Sequence, residues 1–454
     1  MTGRGRGEAS GDGKGPAPRL FCDMTSILSH ARGHATVTGV QRVVLRIVGH
    51  LVATHGPEAI RGLAWHPKLR RVVEIDLSFL GPDYRFEAHH AEFVRDMAIP
   101  FDAGGRDRRP LRRLAAKLGR LRWALAGGAG RLMPPSIQPA DRIFVPVPTL
   151  RNDAYVDYLG GRKAVGNAVL QLIHDVIPLK LPALAKPGHE AEFRGFLDRT
   201  PGYVSGFLCV SDQTEADLRD VMPAAGRGIP TQVVPLAHEF IGGDEAGAPV
   251  RPEIAAIAAS PFVLCVGTIE PRKNAFALAQ VWARLREEFG AALPRLVLAG
   301  QRGWRTDDLF DLLAATHDLG GTVAVARTPS DAELAFLYRH CAFTVFPSLY
   351  EGWGLPIGES LWFGKHCIAS RTSSMPQVGG DLADYLDPHD PEDMHRVIAR
   401  AIREPGHVAA REDAIYRARL RRWADVAEAV YAATLVVTIG DARTRLGAPG
   451  AMVG

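Results

Sequence analysis

The sequence predicts a two-domain α/β protein in which two doubly wound parallel sheets face each other across a cleft. Three observations carry this. From Arg19 onward, short β-branched or apolar runs alternate with longer amphipathic stretches. Several of the runs are apolar without alternation, the pattern of strands buried on both faces. One segment rich in Gly, Pro and charge, Ile241 to Ile254, lacks any period and reads as the linker between two halves of similar grammar.

In chain order, residues 1–18 form a Gly-rich tail with basic residues but no apolar stretch behind them, read as disordered and not as a secretory signal. The first half, 19–240, offers strands at RLFCDM, IRGLAW, RVVEID, DRIFVPV, AVLQLIHD, GFLCVS and TQVVPL. The linker 241–254 follows. The second half, 255–411, offers FVLCVGT, RLVLAG, TVAVAR, FTVFPS and HCIAS, with helical patterns such as Ala275 to Glu288 and Asp331 to Tyr338 between them. In VSDQTEADL, Ser211 is an expected N-cap. A closing helix is expected over 412–438, centred on Trp423.

The formal net charge is +4, unevenly spread. Between Arg106 and Arg131 nine basic residues face the single Asp107, a net of +8, which leaves −4 for the remainder. That distribution argues against a chain-wide nucleic-acid binder. Leu111, Leu114, Leu118, Leu121 and Leu125 form an apolar stripe within the basic segment, so the segment reads either as a helix drawn to anionic lipid or as a solvated basic face whose leucines join the core. Five scattered cysteines, never in a C-x-x-C pair, suggest neither disulfides nor a thiolate metal site, but small buried hydrophobes in a reducing compartment. No apolar run reaches the roughly 18 residues that span a bilayer.

The most informative stretch is FPSLYEGWGLPIGESLWFG, Phe346 to Gly364. A buried strand ends at Pro347, a Gly-spaced turn follows, and Pro356 suits the first turn of a helix whose N-terminal amides would face an anion. Gly352 and Gly354 let backbone approach a ligand. Glu351 in the loop and Glu359 one turn into the helix can both point into the cleft, where carboxylates accept hydrogen bonds from sugar hydroxyls. In VGTIEPRKN, Val266 to Asn274, Arg272 and Lys273 stand at a strand end, suited to the charge of a departing diphosphate. LIHDVIPL places His174 and Asp175 at another strand end, and TVTGVQRVV brings Thr38, Gly39, Gln41 and Arg42 to the opening of a helix.

Together these segments resemble the E-x7-E signature and EPRKN-type loop of family 4 retaining glycosyltransferases with the GT-B fold of two Rossmann-like domains. The resemblance covers about residues 19 to 435 and is strongest over 262 to 388. It implies that Glu351 contacts the donor sugar and Glu359 the nucleotide ribose, that Arg272 and Lys273 stabilise the diphosphate, and that His174 lies near sugar and phosphates. It also assigns Gly39, Thr268, Gly352, Gly354 and Leu355 to the donor. Thr38, Gln41, Arg42 and Asp175 become acceptor contacts, Asp175 alternatively fixing the His174 tautomer. Thr268 stands where many members have arginine. No D-x-D pair lies at a strand end, so the expected transfer needs neither metal nor cofactor.

The resemblance implies a hexosyltransferase with GDP-mannose as the favoured donor and a saccharide or lipid-linked saccharide as acceptor, in surface polysaccharide or lipopolysaccharide assembly. It would be a cytoplasmic protein working at the inner face of the membrane. The alternatives are a rhamnosyl- or glucosyltransferase using dTDP or UDP donors, a sugar-nucleotide hydrolase or epimerase, and an inactive scaffold binding membrane or a partner enzyme.

Overall fold

The computed structural model describes residues 18–34, 36–93, 132–242, 249–437 of the chain. The first sheet comprises β1 (Leu20–Asp23), β2 (Ile60–His66), β3 (Arg71–Ile75), β4 (Arg142–Val145), β5 (Ala168–Ile173), β6 (Gly206–Cys209) and β7 (Thr231–Val233), in the order β3-β2-β1-β4-β5-β6-β7. The second comprises β8 (Phe262–Val266), β9 (Arg295–Gly300), β10 (Val323–Arg327), β11 (Phe343–Phe346), β12 (Cys367–Ser370) and β13 (Asp384–Leu386), in the order β10-β9-β8-β11-β12-β13. The chain therefore reverses its direction of travel across each sheet, between β1 and β4 and between β8 and β11. Ligands of open α/β sheets bind outside the strands' carboxyl ends at such points.

Every expected strand is present, with two differences. β3 runs antiparallel to β2, because only Pro67 to Arg70 join them and a parallel return needs a crossover of a dozen residues or more. β13 is an additional strand, parallel to β12, whose three residues are too short to show a period. Central strands β4, β5, β6 and β11 are buried almost throughout, which explains their lack of alternation. All five cysteines are buried and unpaired.

The segment read as a linker ends in regular structure. A helix Pro252–Ile257 begins inside it, with proline in its first turn and Ile254 buried. The closing helix is likewise two helices, Pro405–Arg417 and Trp423–Val436. The stretch between them crosses against the end of the first half, with the N–H of His238 donating to the Arg421 carbonyl at 2.9 Å. Trp423, buried, then donates through Nε1 to the Glu239 carbonyl, also at 2.9 Å. Its helix packs on the helix Gly39–His55 of the first domain, where His55 stacks on Tyr431 at 3.8 Å. One apolar core runs from the first sheet through Leu236 and Val430 to Phe346, Ile357 and Met375 of the second half. The basic segment 106–131 lies outside the described residues.

Candidate active site

The loops after β8 and β11, neighbours in the second sheet, bring Arg272, Lys273 and Glu351 together. The N–H of Leu349 donates to the Arg272 carbonyl at 2.8 Å, fixing one loop to the other. Glu351 is buried, with Oε1 2.6 Å from Lys273 Nζ and Oε2 2.5 Å from an Arg272 nitrogen. Burial opposes the charge on Glu351, but Arg272 and then Lys273 outweigh it and hold its pKa down to about 2. Arg272 also donates to the Tyr350 carbonyl at 2.9 Å and to Glu270 at 2.7 Å. Lys273 sits 4.5 Å over the Phe346 ring, and burial lowers the pKa of its ammonium although Glu351 opposes this. Two fixed cations thus share one carboxylate in a site largely shielded from water, where electrostatic interactions are strong. Thr268 is half-buried in the same loop, packed near Gly303.

Gly354 caps the helix Leu355–Trp362 with φ +105°, a conformation that favours glycine, and offers no side chain over the first amides. Gly352 has a different reason to be glycine. A Cβ there would lie 1.9 Å from the His174 carbonyl oxygen of the opposite domain. The Gly352 carbonyl accepts from Ser211 Oγ at 2.6 Å and from Thr214 Oγ1 at 3.1 Å. Ser211 is the expected N-cap, accepting from the Thr214 N–H, and its hydroxyl proton also clamps the other domain. Leu355, half-buried, packs 3.5 Å from where a Cβ on Gly39 would stand.

Glu359 lies deeper. Its Oε2 accepts from the Tyr338 hydroxyl at 2.9 Å, and Arg42 from the first domain stands 3.4 Å from Oε1. Burial raises its pKa against the pull of Arg42 and Tyr338. Arg42 also pairs with Asp331 at 2.5 Å. The Arg42 guanidinium, expected among the acceptor contacts, reaches the Glu359 side because Arg42 lies one turn into a helix aimed across the cleft. Thr38 and Gln41 are likewise occupied locally, the Gln41 carboxamide oxygen accepting from the N–H and hydroxyl of Thr38 at the start of that helix.

His174 Nε2 lies 2.8 Å from the Pro146 carbonyl. A carbonyl only accepts, so Nε2 carries the proton and Nδ1 keeps a lone pair. Burial lowers the ring's pKa to about 4 against that bond, so at neutral pH His174 is uncharged. Asp175 does not fix this tautomer, contrary to one expectation, because Oδ1 accepts instead from the Ile177 N–H at 3.0 Å. Burial raises the Asp175 pKa, with Arg272 opposing. Tyr338, Asp331 and Thr214 escaped the sequence reading, since each meets the site only through tertiary packing. Glu270 sat inside the EPRKN segment and could have been noted as the acid that shares Arg272.

Comparison with known proteins places this site within a known domain family and fold. Residues 250–421 match the family model of glycosyl transferases group 1. The chain is 35% identical over 143 residues to the O-antigen chain mannosyltransferase B of Escherichia coli, covering 32% of this chain and 37% of that one. It is 25% identical over 262 residues to the serotype-specific mannosyltransferase WbdA of the same species, covering 55% and 31%. The chain thus spans about a third of the length of these curated relatives. Among solved structures, HepE of Anabaena in complex with UDP and glucose superposes with a TM-score of 0.58 at 13% identity, covering 92% of this chain and all of that one. The fold is GT-B.

Proposed function

From a chain of GT-B fold that carries a glycosyl transferases group 1 domain, we propose a retaining glycosyltransferase that moves mannose from GDP-mannose to a hydroxyl of a saccharide or lipid-linked saccharide in surface polysaccharide assembly. The observation that carries the reading is Glu351 held as a carboxylate between Arg272 and Lys273, with Glu359 one turn into the adjoining helix. The names of the two Escherichia coli relatives support mannose.

In this reading Arg272, Lys273 and the amides at the start of the helix Leu355–Trp362 meet the diphosphate and stabilise the charge that grows as the anomeric C–O bond breaks. Glu351, ionised at any working pH, cannot donate a proton and instead accepts hydrogen bonds from the sugar hydroxyls, while Glu359 takes the ribose. The acceptor oxygen forms its bond to the anomeric carbon on the face the phosphate leaves, and its proton passes to a phosphate oxygen. His174, uncharged, offers its Nδ1 lone pair. Closure around Gly352 excludes water and so limits hydrolysis of the donor. Because the protein's own cations carry the diphosphate, the transfer is metal-independent in this scheme.

Thermal-shift measurements with GDP-, UDP- and dTDP-sugars are expected to single out GDP-mannose. With that donor, Glu351→Gln and Lys273→Ala should each lose about 100-fold or more in kcat/KM, and the product should keep the donor's anomeric configuration. Unaltered transfer by Glu351→Gln refutes the site, and acceptor-independent release of free sugar identifies a hydrolase. A peripheral membrane contact through 106–125 is part of the proposal. Anionic liposomes should retain the protein in flotation, and neutralising Arg109, Arg112, Arg113 and Lys117 should release it. Equal flotation of both forms refutes the contact.

A further inference from the structure

At the opposite end of the second sheet from the cleft, three ligand-type side chains converge. His366 immediately precedes β12, Asp384 opens β13, and His407 lies in the helix Pro405–Arg417. Asp384 Oδ2 stands 2.5 Å from His407 Nε2 and 3.4 Å from His366 Nε2, and one ligand atom from each of the three residues falls within 4.8 Å of the others. The two imidazoles meet edge to face with centroids 5.7 Å apart. His366 is fully buried, and neither of its ring nitrogens makes a hydrogen bond. A buried polar atom without a partner typically costs about 1–3 kcal/mol, so the ring calls for one.

We propose that His366, Asp384 and His407 form a zinc site, with water as the fourth ligand of the tetrahedron. Zinc bonds of about 2.0–2.2 Å to imidazole nitrogen and carboxylate oxygen put tetrahedral ligands about 3.3 Å apart, a spacing this trio reaches by small side-chain rotations. The donor set of two imidazoles and one carboxylate suits zinc better than the hard cations magnesium or calcium. Arg411 does not block the site. It donates to Asp384 Oδ1 at 2.6 Å and anchors itself on the Asp381 carbonyl at 2.8 Å, which leaves Oδ2 turned towards the imidazoles. Outer-shell bonds of this kind commonly orient a ligating carboxylate. Its charge, together with that of Arg400, 3.4 Å from His407 Nδ1, weakens affinity relative to a thiolate site.

The position gives the ion a structural task. The strands' amino-terminal ends face away from the cleft, so the ion takes no part in transfer. It pins the helix Pro405–Arg417 to the edge of the sheet, directly before the segment that crosses to the first domain.

The test uses the full-length, tag-free protein, stripped with chelator and titrated with zinc sulfate in a calorimeter. Stoichiometric binding of one zinc per chain and a raised Tm are expected. His407→Gln, on the accessible side of the trio, and Asp384→Asn should each weaken binding at least tenfold, and X-ray absorption of the loaded protein should report two imidazole ligands. Absence of stoichiometric binding in the native protein overturns the proposal, as does unchanged affinity in both variants, which would place the zinc on other histidines. Should Asp384→Asn fail to fold, His407→Gln decides alone.

Discussion

Burial acts on His174 and Glu351 with opposite results, and the difference lies in their partners. Glu351 has two cations within 2.6 Å and stays charged, whereas His174, bonded among the described residues to the Pro146 carbonyl, stays neutral. The folded ring takes a proton only near pH 4, while the unfolded ring takes one near 6.5. Below pH 6.5 the unfolded state therefore binds more protons, and stability falls as the pH drops towards 4. His174→Gln should flatten that decline by up to about 1.4 kcal/mol per pH unit, read from urea midpoints between pH 4.5 and 7. Parallel profiles for variant and native protein would show that the ring does not titrate in this way. Glu351, Lys273 and Arg272 were legible in the sequence because strand-end loops of a doubly wound sheet project into one crevice. Tyr338 and Asp331 were not, since nothing local to their helix reveals which face meets Glu359.

At the scale of elements, legibility followed length and local chemistry. Strands buried on both faces announced themselves as apolar runs, and the Ser211 cap followed from the residue alone. The direction of β3 was also available, in the four residues that join it to β2, but β13 was too short to read. The expected closing helix hid a break because the crossing segment 418–422 is as basic and leucine-containing as a helix surface. Its geometry depends on partners some 180 residues earlier: the Trp423 backbone N–H donates to Glu239 Oε2 at 2.9 Å and its indole N–H donates to the Glu239 carbonyl. Trp423→Ala deletes a fully buried indole at this junction and strips that carbonyl of its donor. The expected loss is about 3–5 kcal/mol, measured by denaturant unfolding, and a loss below 1 kcal/mol would show that the helix Trp423–Val436 does not depend on this anchor.

For the whole molecule, the question is what holds two domains around one cleft. Apolar packing joins them through the last helix and the core that runs on to Phe346 and Ile357, while polar contacts also cross between them: Ser211 and Thr214 on the Gly352 carbonyl, Tyr350 on Asp217 at 2.6 Å, the Asp212 N–H on Gln377 at 2.9 Å, and Arg42 on Asp331 and Glu359. Such contacts can exchange with ligand more readily than a continuous apolar interface can. Arg42 is the contact that touches the proposed ribose carboxylate, so closure and nucleotide binding should be linked through it. Arg42→Ala should enlarge the radius of gyration in solution scattering and raise the KM for the donor about tenfold with a smaller effect on kcat. Asp331→Ala should do the same in part. Because the pair is partly shielded, with side-chain exposures of 14% and 22%, a double-mutant cycle should return a coupling of about 1–2 kcal/mol in donor binding. A cycle that closes to zero, with unchanged scattering, would mean that Arg42 merely rests against the opposite domain and that closure is set by the Gly352 clamp and the last helix alone.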